Sequence, residues 1–168
     1  MIIIVEGIDR VGKSTLCKMI EKELKISVHK YNGIVPYNKM KNIEETDKIL
    51  NSLQLVEELK GNIIFDRLYF TDYVYGILER NYDVIEASKN FEKIDSKISN
   101  INDVFLIYVL PIDIEKSSIE HGKSLEKHNK LFYDLFKESK IKNKFRCDYN
   151  TLNEAILFIN SKRSEKNE

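Results

Sequence analysis

The octet Gly7-Ile8-Asp9-Arg10-Val11-Gly12-Lys13-Ser14 restricts what this chain can fold into more than any other stretch of it. Directly before it stands Ile2-Ile3-Ile4-Val5, apolar without alternation, as in a strand covered on both faces. Directly after it, Leu16, Ile20 and Leu24 recur at helical spacing. Strand, glycine loop and helix in immediate succession open an α/β arrangement.

The rest of the chain repeats the alternation. Ile26 to Tyr31 is a second apolar stretch, leading into a loop with Asn32-Gly33 and Pro36. A helix is predicted from Ile43 to Lys60, with Ile49, Leu53, Val56 and Leu59 on one face and Gly61-Asn62 as its stop. Ile63-Ile64-Phe65 reads as a third strand, ending at Asp66-Arg67 and followed by a helix through Tyr73 and Ile77. Val104 to Leu110 is a fourth strand and Phe145 to Tyr149 a weaker fifth. Thr151 and Glu154, ahead of Ala155, Ile156 and Ile159, read as a capping box on the last helix. Continuous apolar strands separated by helices predict an α/β fold: a five-stranded parallel sheet with helices on both faces, a three-layer sandwich.

At 168 residues the chain has the size of one domain, expected over 1–162, with a polar tail at 163–168 that frays. The apolar start lacks a basic lead and meets Glu6 too soon to serve as a signal segment, and no apolar run reaches the length of a membrane span. Formal net charge is zero, which argues against a nucleic-acid partner held by counterion release. Cys17 and Cys147 show neither metal-ligand nor disulfide spacing and read as core residues of a protein in the reducing cytoplasm. His29, His121 and His128 have no spacing suited to a metal or a catalytic triad and read as surface or satisfied residues.

The octet matches G-x-x-x-x-G-K-[ST] in the strand-to-helix context that gives the pattern its chemistry. Gly7 and Gly12 permit backbone conformations and close approach that side chains would block, so that the N–H groups of Ile8 to Thr15 can turn toward phosphate oxygens. Lys13 sets a charge on the β- and γ-phosphates of a nucleoside triphosphate, Ser14 offers a hydroxyl to Mg²⁺, and the helix N-terminus adds its dipole. Chance would produce the pattern in about a few chains per thousand of this composition. A GTPase-type N-K-x-D reader is missing: Asn129-Lys130 is followed by Leu131-Phe132. ATP with Mg²⁺ and a small-molecule acceptor fits a chain of this length.

Asp66-Arg67, at the carboxyl end of the third strand, falls where an open parallel sheet gathers its ligands. The carboxylate suits the hydration shell of Mg²⁺ and the guanidinium suits a phosphate. The chain has only five arginines, Arg10, Arg67, Arg80, Arg146 and Arg163, and two of them lie in these two motifs. Fixed planar donors at Arg10 and Arg67 are the natural partners for charge on a transferring phosphoryl group.

Glu6-Gly7-Ile8-Asp9-Arg10-Val11-Gly12-Lys13-Ser14-Thr15 resembles the loop of the thymidylate kinase family, in the subclass that carries an arginine within it. Asp66-Arg67-Leu68-Tyr69-Phe70-Thr71-Asp72-Tyr73-Val74-Tyr75 is similar to that family's D-R-Y-x-x-S-x-x-A-Y, and Cys147 to Glu154 looks like the loop and helix that border the adenine. The resemblance implies a nucleoside monophosphate kinase fold and ATP-dependent phosphorylation of a nucleoside monophosphate, dTMP foremost. It further implies that Arg10 bridges donor and acceptor phosphates, Asp9 lies near the acceptor sugar, Arg67 holds the acceptor phosphate and Tyr75 packs by the deoxyribose. Lys13, Arg10, Asp9 and Arg67 are thus the catalytic set, Ser14 and Asp66 the metal pair. A lid is implied at about 121–127, whose Lys123 and Lys127 come without an arginine, as that subclass requires. A homodimer is implied by the resemblance alone.

The match has gaps. Where the family has R-x-P-G, this chain reads His29-Lys30-Tyr31-Asn32-Gly33, and the thymine-reading arginine and stacking aromatic would align near Ser52 and Lys48. A nucleoside, a modified base or a polynucleotide 5′ end as acceptor therefore stays open, as does a nucleotide-binding module without turnover.

Overall fold

The computed structural model describes residues 1–30, 47–54, 56 and 61–165. Strands β1 (Ile2–Glu6), β2 (Val28–Lys30), β3 (Ile63–Asp66), β4 (Val104–Val109) and β5 (Asn143–Cys147) form one sheet in the order β2-β3-β1-β4-β5. Every neighbouring pair is parallel. The helices are α1 (Lys13–Leu24), α2 (residues 47–54), α3 (Tyr69–Glu79), α4 (Val84–Ser99), α5 (Ile114–His121), α6 (Glu126–Glu138) and α7 (Leu152–Ser164).

The unbroken apolar runs seen in the sequence are the central strands. All of β1 and all of β4 are buried. Helix α1 packs on β1 and β3, α7 packs on β5, and α3 lies against α4 and α6. A single apolar cluster runs from Ile3 and Ile4 through Phe105 and Leu106 to Phe132 and Ile159. An aromatic layer of Tyr69, Phe70, Tyr73 and Phe91 joins α3 to α4, with ring centroids 4.7 to 5.3 Å apart. Tyr69, Phe70 and Tyr73 are therefore packing residues.

The expected strand ends shift. β2 begins at Val28 rather than Ile26, β4 stops at Val109, and β5 begins and ends earlier than Phe145 to Tyr149. Tyr31, Asn32-Gly33, Pro36 and residues 43–46, 55 and 57–60 of the predicted second helix lie outside the described residues. Within α2, Ile49 and Leu53 are buried as the helical pattern requires.

The capping box is a correction. The box is formed by Asp148 and Thr151 around a single 3₁₀ turn, Tyr149–Thr151, and α7 begins at Leu152 with no side-chain cap from Thr151. The Thr151 hydroxyl faces back, accepting from the Asp148 N–H at 3.0 Å. It is already committed when α7 starts, so Glu154 is simply an exposed acid in the first turn.

Both cysteines are buried, and burial pushes the Cys147 thiol up to about 12. Among the described residues no helix is long and apolar enough to cross a membrane. Register sets the site: Val5 lies opposite Asp66, and Lys30 opposite Asp66 on the other side. The carboxyl ends of β1, β2 and β3 thus open side by side.

Candidate active site

The loop between β1 and α1 turns sharply, with Gly7 at φ 143°, Arg10 at φ 62° and Gly12 at φ 97°. Space as well as torsion demands the two glycines. A Cβ on Gly7 would stand 2.4 Å from the Val109 carbonyl oxygen, and one on Gly12 would stand 2.7 Å from Cδ2 of Tyr149. Lys13 opens α1, is 4 % exposed, and donates from its ammonium to the Ile8 carbonyl. Burial, with Arg67 adding to it, lowers the Lys13 ammonium to about 7, against the attraction of Asp9, Asp66 and Glu6.

Beside the loop, the Ser14 hydroxyl donates to Oδ2 of Asp66 at 2.7 Å. Among the described residues no group of three or more His, Cys, Asp or Glu side chains is arranged for a metal. A hydroxyl and one carboxylate side by side still fit Mg²⁺, which keeps several waters and takes its other oxygens from substrate phosphates. The pair meets that donor set.

Arg67 stands just past β3 at φ 75°. Its guanidinium donates to the Asp9 carboxylate, to the Gly7 carbonyl at 3.4 Å and to the Thr71 hydroxyl at 3.3 Å. The second oxygen of Asp9 accepts from the Tyr75 hydroxyl at 3.0 Å. Burial and the Asp9 charge push the Tyr75 phenol well above its ordinary value. The Tyr75 ring also has the Arg67 guanidinium 5.8 Å and the Lys123 ammonium 5.6 Å from its centroid.

These side chains enclose one cavity of about 500 Å³. Asp9, Arg10, Gly12, Lys13, Ser14, Thr15, Asp66 and Arg67, all named from the sequence, line it. Tyr75 joins through Asp9. Gly7 and Ile8 take part by their carbonyls, and Val11 borders a second cleft of about 400 Å³ beside Arg10, Ile112, Asp113 and Lys116.

One lining residue escaped the sequence reading, and another was marked there only by resemblance. Lys30, at the end of β2, reaches the main cavity, and the exposed ring of Tyr149 stands between the two clefts. Strand register could have pointed to Lys30; Tyr149 lies in the stretch Cys147 to Glu154 that resemblance set beside the adenine, and its place depends on the 3₁₀ turn. On the expected α2 face, Ser52 and Lys48 are exposed.

The expected lid stretch contains the end of α5, the Gly122 cap and the turn into α6. There Glu79, at the end of α3, accepts from Lys123 and lies 2.7 Å from Nε2 of the buried His128. Against the effect of burial, these two bonds hold the Glu79 carboxyl below its ordinary range. The His121 side chain lies outside what is described.

No protein-family model matches the sequence, and no curated protein does. Solved structures match along essentially the whole chain. The YorR protein of Bacillus subtilis, in complex with phosphorylated GDP, aligns with a TM-score of 0.75 at 20 % identity, covering 100 % of this chain and 99 % of its own. Thymidylate kinase from Ehrlichia chaffeensis aligns at 0.65 and 15 %, covering 96 % and 98 %. Deoxyadenosine kinase from M. mycoides with bound dATP aligns at 0.51 and 21 %, covering 94 % and 97 %. The chain has the parallel α/β fold on which these nucleotide-binding proteins are built.

Proposed function

We propose that this chain is an ATP-dependent nucleoside monophosphate kinase, which moves the γ-phosphoryl group of ATP onto a deoxynucleoside monophosphate, dTMP before others. One observation carries the reading. The Lys13 and Ser14–Asp66 group, suited to a triphosphate, and the Asp9–Arg67 pair, suited to a second phosphorylated ligand, face the same cavity.

In this reading the loop N–H groups and Lys13 neutralise the β- and γ-phosphates, and Ser14 and Asp66 would hold Mg²⁺, which would supply further positive charge to them. Arg67 holds the acceptor phosphate, with Lys30 as a second cation on the same wall. Asp9 and Tyr75 border the acceptor sugar. Arg10, exposed and shared by both clefts, bridges the two phosphate chains. An oxygen of the acceptor phosphate bonds to the γ-phosphorus as the β–γ bridging oxygen leaves with ADP. No covalent link to the protein is needed, because positioning and charge neutralisation suffice. The lid at 121–127 excludes water, with Lys123 its cation. The buried thiols suit a cytoplasmic setting, and a homodimer would show in light scattering.

The exposed Ser52 and Lys48 favour, as a second reading, an acceptor base other than thymine. ADP release with Mg-ATP, measured across deoxynucleoside monophosphates, nucleosides and a 5′-hydroxyl oligonucleotide, tests both. Turnover with dTMP sustains the first reading, turnover with another monophosphate the second, and silence with all monophosphates sinks the kinase assignment as stated.

A further inference from the structure

We propose that Glu6 is a positioning residue for Arg67, acting through Leu68 and Thr71 and so setting how tightly the acceptor phosphate is held. The proposal rests on the role of Arg67 given above. Glu6 ends β1, a strand buried along its whole length, and is itself 0 % exposed. A carboxylate in such a place is costly unless its oxygens are satisfied. Both are: Oε1 accepts from the Leu68 N–H at 2.7 Å and Oε2 from the Thr71 hydroxyl at 2.7 Å.

Leu68 belongs to the turn that carries Arg67, and Thr71 to the first turn of α3 that follows it. Arg67 has φ 75°, a left-handed conformation that a side chain adopts only when its surroundings impose it. Here two consecutive residues of β1 grip two consecutive residues of the turn. The Val5 carbonyl accepts from the Arg67 N–H at 3.0 Å, and the Glu6 carboxylate holds the Leu68 N–H.

Thr71 extends the grip to the guanidinium. Because its hydroxyl proton is directed at Glu6, its lone pairs are left to accept from Nη1 of Arg67 at 3.3 Å. Glu6 thereby fixes the backbone beneath Arg67 and orients one of the groups that aim its fork. The competing account is a helix cap, since Leu68 is also the residue before α3. A cap would stabilise the fold without distinguishing one substrate from the other.

The test compares Thr71→Val, which keeps the shape and removes the relay, with Thr71→Ser, which restores the hydroxyl. Steady-state kinetics with Mg-ATP and the preferred monophosphate are expected to show KM for the acceptor raised about tenfold in Thr71→Val, with KM for ATP moving less than about twofold and Thr71→Ser close to the parent. Glu6→Gln, which keeps an acceptor for Leu68 but turns an N–H toward Thr71, should give the same split. Equal changes in both KM values, or losses that follow the melting temperature, would reduce Glu6 to a cap and overturn the proposal.

A second readout needs no turnover. The guanidinium resonance of Arg67, assigned by NMR in the free protein, should be sharp in the parent and in Thr71→Ser and broadened in Thr71→Val. An Arg67 signal indifferent to Thr71 overturns the positioning whatever the activity. If the parent phosphorylates no monophosphate while the Arg67 signal behaves as stated, the kinase reading falls and the positioning stands.

Discussion

The Ser14 hydroxyl donates to Oδ2 of Asp66 at 2.7 Å across 52 residues of sequence, joining the first turn of α1 to the last residue of β3. If Mg-ATP enters here, the two side chains serve the cation's coordination sphere rather than the fold. Asp66→Asn is expected to lower kcat by about a hundredfold and raise the Mg²⁺ concentration needed for half-maximal rate. Its melting temperature without nucleotide should stay near that of the parent. A magnesium titration followed by ADP release decides it.

Lys13 titrates at about 7 in the free protein, below the 10.5 of an ordinary lysine. Above neutrality it must take up a proton to meet a triphosphate, so affinity for a non-hydrolysable ATP analogue should fall as pH rises beyond 7. Calorimetry in buffers of different ionisation enthalpy should find close to one proton taken up per nucleotide near pH 8.5.

The same shift fixes a stability trend. The folded value lies below the unfolded one, so the unfolded chain binds more protons between these two limits and Lys13 makes stability rise with pH across that window. Lys13→Met should flatten this slope and raise the melting temperature of the nucleotide-free protein at pH 6.5, while abolishing turnover. A lower melting temperature at that pH would mean that the carboxylates around Lys13 repay the burial of its charge.

Gly12 is constrained twice, by its torsion and by the Tyr149 ring above it. Gly12→Ala should weaken nucleotide binding by more than about tenfold, since a side chain at positive φ costs about 1 kcal/mol before any clash. Adding Tyr149→Ala should recover part of the loss and no more, because the torsional cost remains. Full recovery would make the clash the whole effect.

Away from the cavity, the Lys144 ammonium donates to the carbonyls of Phe136, Lys137 and Ser139 at 3.0, 3.0 and 2.9 Å, closing the C-terminal end of α6. Lys144→Met keeps the stem and removes the donors. It should cost about 1–2 kcal/mol in urea unfolding, with kcat unchanged.

What the sequence made legible was whatever depends on neighbours along the chain. The octet, the continuous apolar strands and Asp66-Arg67 each announce themselves within ten residues, and the fold places seven residues of these motifs around one cavity. Relations across the sheet were another matter. That Glu6 would grip Leu68 and Thr71, or that Lys30 would stand on the cavity wall, follows from strand order and register, which local pattern does not encode. The misplaced capping box has the same origin: Thr151 could cap either the 3₁₀ turn or α7, and Asp148, three residues earlier, decided the competition.

Strand β5 closes one edge of the sheet, and its successive side chains engage α6 and α7 in turn. Phe145 turns to α7, stacking on Phe158 with ring centroids 5.0 Å apart, while Lys144 and Arg146 carry charge along the strand. Another copy adding itself strand to strand at this border would align cations with cations. Self-association that lengthens the sheet is discouraged there, so a concentrated solution of this protein has little incentive to grow fibrils from β5.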